Sequence, residues 1–278
     1  MNLLNLNKIT FSYDEISTGN PFLLNISEFR LESGESLAVT GSSGAGKTTF
    51  AKLLATILKP SSGEYQVLQK GMKISMSFQF PENQFYLDTV LDDIAAGLLA
   101  RGINEKEAIS AANKALEMVN LKPSIFGKRS HTTLSGGEKR RAAIAILFSL
   151  QPDLYIIDEP TAGLDGIEVQ NLSNIFNRLS DEGKTIIIIS QDSTFIAETC
   201  QRIVLLDRGS IAYDDSVFEF FTNGELMKKY RVELPPSAIF IMSSELTNLR
   251  KNCKSLKLKD IIDLVAANDV AKDNILTA

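Results

Sequence analysis

Three features of the sequence predict an α/β fold built on a buried, mainly parallel sheet. Two runs, Leu154-Tyr155-Ile156-Ile157 and Thr185-Ile186-Ile187-Ile188-Ile189, are apolar without alternation, as strands covered on both faces are. Between them, Val169, Leu172, Ile175, Phe176 and Leu179 recur at helical spacing, which fits the crossover of a βαβ unit. Another strand, Glu35-Ser36-Leu37-Ala38-Val39-Thr40, runs directly into a glycine-rich loop and then a helix. At 278 residues, the chain can hold one large domain of this kind with a modest addition.

Taken in order, residues 3–13 and 23–31 read as short strands of an N-terminal antiparallel β layer, joined by Ser17-Thr18-Gly19-Asn20-Pro21. After the glycine-rich loop, a helix is expected from Thr48 to Leu58, with Phe50, Leu53, Leu54, Ile57 and Leu58 on one face. It should stop at Lys59-Pro60, because proline cannot continue it. Residues 72–79 read as a further strand. From about 86 to 147 the pattern is helical, with Ile109, Ala112, Leu116 and Val119 three and four residues apart. Residues 201–213 look like a hairpin turning at Asp207-Arg208-Gly209. Beyond roughly residue 224, Glu233-Leu234-Pro235-Pro236 interrupts the chain and helical segments follow near 237–249 and 257–267. The expected division is a main domain over 1–222, with its helical subdomain at about 86–147, and a C-terminal helical extension over 223–278.

Bulk properties narrow the function. Hydrophobic residues make up 44% and charged ones 23%, ordinary for a globular protein. A net charge of −5 argues against a nucleic-acid partner, whose binding surface would be basic. Cys200 and Cys253 lie too far apart for a metal-type spacing and read as reduced thiols. The first residues lack the basic start and apolar core of a signal peptide, and no window approaches the roughly 20 apolar residues that span a bilayer. A role in transport would therefore need separate membrane subunits.

The loop Gly41-Ser42-Ser43-Gly44-Ala45-Gly46-Lys47-Thr48 fits the phosphate-binding pattern G-x-x-x-x-G-K-[S/T] in full. Its glycines let successive N–H groups turn inward as an anion nest, and the helix that begins there adds its positive end. Lys47 supplies a cation for the outer phosphates, and the Thr48 hydroxyl is placed for Mg²⁺. The nucleotide-binding stretch continues to Thr49. A second element, Asp158-Glu159, stands at the C-terminal end of a buried strand, the edge where open α/β sheets bind ligands. Asp158 suits Mg²⁺, and Glu159 suits polarising an attacking water.

Leu134-Ser135-Gly136-Gly137-Glu138, followed by the helix Lys139-Arg140-Arg141-Ala142-Ala143-Ile144-Ala145, resembles the signature of ABC ATPases. Ser135 with the amides of Gly136 and Gly137 at a helix start makes a second anion site. The resemblance implies a P-loop NTPase of ABC-ATPase fold with a RecA-like core and a helical signature subdomain. It also implies head-to-tail dimers, in which each ATP lies between one chain's P-loop and the other's signature. Further positions match in order. Gln79 resembles the Q-loop glutamine that contacts Mg²⁺, Ala162-Gly163-Leu164-Asp165 resembles the D-loop, and Tyr13 resembles the aromatic residue stacked on adenine. Within the superfamily, Phe78-Gln79-Phe80-Pro81-Glu82-Asn83-Gln84-Phe85 is similar to the Q-loop of energy-coupling factor (ECF) transporter ATPases, which drive micronutrient uptake. That resemblance implies docking on a membrane subunit through 79–85, a peripheral place on the cytoplasmic face of the cell membrane, and a C-terminal tail that helps join two ATPases.

One position departs from the family. Ile189-Ser190-Gln191-Asp192 stands where the family has Ser-His-Asp. Gln191 donates an amide hydrogen bond but carries no proton or positive charge for transfer, so slowed hydrolysis is expected. His131, the only histidine, reads as a surface or packing residue. Two other functions are compatible with these residues: a soluble ABC ATPase, and a nucleotide-binding structural partner of an active ATPase that does not hydrolyse.

Overall fold

The apolar strands read from the sequence lie side by side in one sheet whose two faces feed two separate cores. The structure, a computed structural model, describes residues 1–13, 23–77, 85–243 and 253–276, with side chains up to residue 267. The main sheet contains β3 (Ser36–Gly41), β5 (Ile74–Met76), β6 (Leu154–Asp158), β7 (Thr185–Ile189), β8 (Arg202–Asp207) and β9 (Ser210–Ser216), in the order β5-β6-β7-β3-β8-β9. All neighbours are parallel except β8 and β9. Side chains alternate across it, as strand geometry dictates. Leu154, Ile156, Ile187, Ile189, Leu37 and Val39 face one core, while Tyr155, Ile157, Ile186, Ile188 and Ala38 face the other. This is why the runs carry no polar alternation.

The first core is closed by a second, antiparallel sheet. β1 (Asn2–Phe11) pairs with β2 (Leu24–Glu32) on one side and with β4 (Ser62–Val67) on the other. The sequence did not reveal β4. Its residues are almost all exposed, so it carries no apolar alternation and is held by its ladder to β1. Leu4, Leu6, Ile9, Ile26 and Phe29 from this sheet pack with Phe50, Leu53 and Leu54 of α1 (Lys47–Leu54).

α1 ends four residues before the expected Leu58. Thr56 takes φ +60, its amide donates to Leu53 O, and the Ile57 amide donates to Lys52 O. This is a Schellman closure with threonine in the left-handed position usually given to glycine. Lys59-Pro60 therefore follows the stop and does not cause it. The strand expected over 72–79 is formed only at Ile74–Met76, and the hairpin near 201–213 joins the main sheet through β8.

The second core is covered by the helical subdomain. α2 (Val90–Leu99), α3 (Glu105–Met118), the short α4 (Pro123–Phe126) and α5 (Gly136–Ser149) pack through small buried residues such as Ala95, Ala108, Ala112, Ala142 and Ala145. α6 (Gly166–Asp181) and α7 (Ser193–Thr199) complete the βαβ layer. Beyond β9 come α8 (Val217–Thr222), α9 (Gly224–Tyr230), α10 (Pro236–Met242) and α11 (Leu258–Leu276). Ala238, Ile241, Cys253, Leu256 and Ile261 enter the same core as Phe195, Phe220 and Phe221. Among the described residues, no helix is long and apolar enough to cross a membrane.

Candidate functional site

β6, β7 and β3 are neighbours and parallel, so their C-terminal ends open onto one edge of the sheet. Three loops leave from that edge: the glycine-rich loop after β3, Glu159 after β6, and Ser190-Gln191 after β7. Together with Tyr13 they enclose a cleft of about 470 Å³ lined by Ser43, Gly44, Gly46, Lys47, Thr48, Thr49, Asp158, Glu159 and Gln191.

The glycine-rich loop owes its path to residues that lack a side chain. Gly41 sits at φ +143, where an added Cβ would come within 2.2 Å of Leu206 O, and Gly44 and Gly46 take φ +79 and +103. Gly46 caps α1 without any side-chain hydrogen bond, so the first amides of that helix remain open to an anion. Ala45, by contrast, is buried and anchors the loop, its carbonyl accepting from Gly209 N at 3.1 Å. Lys47 folds back along the loop, donating from Nζ to Gly41 O at 2.8 Å and Ser42 O at 3.0 Å.

Across the cleft, the Thr48 hydroxyl donates to Asp158 Oδ2 at 2.9 Å. This pair of adjacent oxygens at the mouth of an anion nest fits a hard divalent cation. Asp158 is fixed from behind, its amide donating to Ser77 Oγ at 3.1 Å. Glu159 takes φ +49, and its amide donates to Ile189 O at 2.8 Å, tying the end of β6 to β7. Burial pushes both carboxyls above their ordinary range, and the Asp158 charge pushes Glu159 further. Burial also lowers Lys47, against the pull of Glu159 and Asp158. The buried Arg140 opposes the rise of both carboxyls; sequence reading placed it only in the signature helix.

Tyr13 is exposed and fixed at its tip, its hydroxyl 3.2 Å from Thr49 Oγ1, with its ring edge-on to Phe11. Gln191 donates from Nε2 to Gly41 O at 3.2 Å. The same carbonyl therefore accepts from both Lys47 and Gln191. Gln79 lies outside the described residues.

Ser135, Gly136, Gly137 and Asp165 are not in this cleft. Ser135 and Gly136 are exposed at the start of α5, where Ser135 and Glu138 form a capping box. Asp165 forms a matching box with Glu168 at the start of α6. Arg141 of α5 is paired with Glu168 of α6, and a Cβ on Gly137 would stand 3.0 Å from the Glu168 carboxylate. The two turns are thus one unit. Sequence reading missed this link because its members are 27 residues apart and each looks like an ordinary helix-surface charge.

Residues 24–162 match the family model described as ABC transporter. The energy-coupling factor transporter ATP-binding protein EcfA of Methanothermobacter thermautotrophicus is 33% identical over 248 residues, covering 85% of this chain and 78% of that protein. The structure of cbiO1 from Clostridium perfringens, part of the ABC transporter complex cbiONQ, aligns with TM-score 0.69 at 27% identity, covering 87% of this chain and 99% of that one. A dimeric bacterial ABC transporter cassette, MJ0796, shares the fold at TM-score 0.68 and 24% identity, over 77% of this chain and 99% of its own.

Proposed function

This chain is an ATPase of the ABC transporter family, and from that premise we propose that it energises an ECF-type transporter for a micronutrient, a vitamin or a metal ion, as one half of a nucleotide-sandwiching dimer. One observation carries the dimer: two helix starts suited to anions, at Gly46 and at Ser135, do not share a cleft within one chain. The Lys47 cleft contains no residue of the Ser135 turn, and that turn is exposed. A second ATPase, identical or related, brings a Ser135 turn to each cleft. The extension over 223–278 is assigned to joining the two ATPases. Its packing into the main core supports a rigid role over that of a loose appendage.

In this reading the loop from Gly41 to Thr49 wraps the triphosphate of ATP, and Tyr13 lies against adenine. Lys47 exchanges its contacts with Gly41 O and Ser42 O for phosphate oxygens. Thr48 and Asp158, with Gln79, would hold Mg²⁺, which neutralises phosphate charge when bound. Glu159 orients the attacking water. Its raised carboxyl makes it a better proton acceptor than an ordinary surface glutamate. Gln191, held by Gly41 O, offers an amide where the family has histidine, and turnover is slow. The exposed Tyr86 and Leu87, next to the 79–85 region, support docking there on a membrane subunit at the cytoplasmic face.

The test is ATP hydrolysis by the purified dimer, alone and with Glu159→Gln or Ser135→Arg. The reading expects Glu159→Gln to abolish turnover and trap an ATP-bound dimer, and Ser135→Arg to block that dimer while leaving ATP binding intact. Equal turnover in all three proteins would refute it. Co-purification with detergent-solubilised membrane proteins separates the transport role from that of a soluble ABC ATPase.

A further inference from the structure

His131, read from the sequence as a surface or packing residue, packs just ahead of Ser135. It opens the 3₁₀ turn His131–Thr133, and its carbonyl accepts from Leu134 N at 3.2 Å. The turn therefore leads directly into Ser135. Its imidazole lies against the ring of Phe85, with centroids 5.3 Å apart and planes within 8°. Phe85 is buried and closes the 78–85 segment that resembles the Q-loop.

The surroundings are firmly tied. Asp93 of α2 accepts from the amides of Tyr86 at 2.8 Å and Leu87 at 3.0 Å. Arg129 O accepts from Val90 N, and Gly127 O from Leu91 N, both at 3.0 Å. The Arg129 guanidinium donates to Thr133 O and Thr133 Oγ1. Residues 85–93 and 127–134 are thus stitched into one piece. Within it, the His131 ring connects the exit of the 78–85 segment to the turn before Ser135. The second oxygen of Asp93 and His131 Nδ1 are both buried without a hydrogen bond among the described residues, and burial pushes the Asp93 carboxyl up, against the opposing pull of the Tyr86 and Leu87 amides and of His131.

We propose that His131 is a positioning residue: its stack on Phe85 sets where Ser135, Gly136 and Gly137 stand, and passes displacement of the exposed Tyr86–Leu87 surface on to them. This rests on the reading of the Ser135 turn as the half-site for a partner's nucleotide. His131 does not line the Lys47 cleft. Its loss should therefore spare the chain's own ATP binding and affect only steps that need the partner's turn.

The experiment compares His131→Ala, His131→Phe and Phe85→Leu in the full chain. It measures the melting temperature, the affinity of the monomer for a fluorescent ATP analogue, and kcat of the dimer. His131→Ala and Phe85→Leu should each lower kcat about tenfold while leaving analogue affinity within about twofold, since small misplacements of an orienting group carry losses of this size. His131→Phe keeps a stacked ring and should recover at least about half of the lost turnover. Wild-type turnover in His131→Ala, equal impairment in His131→Phe, or a parallel loss of analogue affinity would each overturn the proposal. ATP-driven dimer formation in a Glu159→Gln background reads the same contact without hydrolysis. There His131→Ala should weaken the dimer, and an unchanged dimer overturns the inference even if the wild-type chain proves inactive, an outcome that would instead defeat the functional reading.

Discussion

The guanidinium of Arg141 is paired with the carboxylate of Glu168, so the helix that starts at Ser135 and the helix that starts at Asp165 are locked to each other inside one chain. Both side chains are mostly buried, and burial lowers Arg141 against the opposing pull of Glu138 and Asp165. Glu168 serves twice, because it also accepts from the Asp165 amide at 3.2 Å.

Arg141→Ala leaves that carboxylate without its partner and should cost about 1–2 kcal/mol of stability, less than a fully buried pair because both groups keep some solvent. Dimer turnover should fall more than monomer affinity for ATP. A double-mutant cycle with Glu168→Gln measures the coupling by denaturant unfolding. Strictly additive losses would show that the pair contributes nothing.

Gln191→His should raise kcat by about tenfold, below the 10²–10³ typical of a fully missing transition-state donor, because the glutamine amide already supplies part of the interaction. Steady-state ATPase kinetics decide it. Unchanged kcat would mean that the position does not limit turnover.

Gly41→Ala forces a Cβ to within 2.2 Å of the Leu206 carbonyl at φ +143, and the backbone must move. We expect a stability loss of about 2–4 kcal/mol and loss of nucleotide binding. Thermal unfolding and equilibrium binding of an ATP analogue report the two effects separately. Gly44→Ala meets no atom within 4 Å and should cost less, through its positive φ alone.

Stability should decline on the alkaline side. Burial pushes the Cys200 thiol up from 9.0 to about 12, and the phenols of Tyr65 and Tyr155 from 10.0 to about 12. Between these limits the unfolded chain has released protons that the folded chain still holds, so ionisation favours unfolding. The stabilisation is complete below about pH 9 and is lost as pH rises through about 12. Denaturant melts at stepped pH test this, and Cys200→Ser should flatten the early part of the decline. In the folded state near neutral pH, Cys200 should also resist thiol reagents until the protein unfolds.

The glycine-rich loop, the Asp158-Glu159 pair and the Ser135 turn could all be read from sequence because each works through consecutive residues. A loop that wraps a phosphate with its own amides must carry its glycines, lysine and threonine at set spacings. The strands β6 and β7 were equally plain, since burial on both faces removes every polar position. β4 left no such trace: an exposed edge strand is selected by its backbone ladder and not by apolar side chains. The end of α1 was misplaced for a related reason, because its Schellman closure uses Thr56 in a conformation that composition does not betray.

From its residues alone, this protein reads as one that binds a nucleoside triphosphate at a strand-to-helix loop, with a second helix start, at Ser135, that we propose holds a partner's nucleotide. Contact between distant residues was decided only by the tertiary structure. Ser77 supports Asp158 across 81 positions, Gln191 reaches Gly41 across 150, and Phe85 meets His131 across 46. Chain order cannot encode such pairs, because each depends on which strand lies beside which and how helices cross above the sheet. Those choices are made by packing of the whole core, to which every apolar residue contributes and in which none alone is a signal.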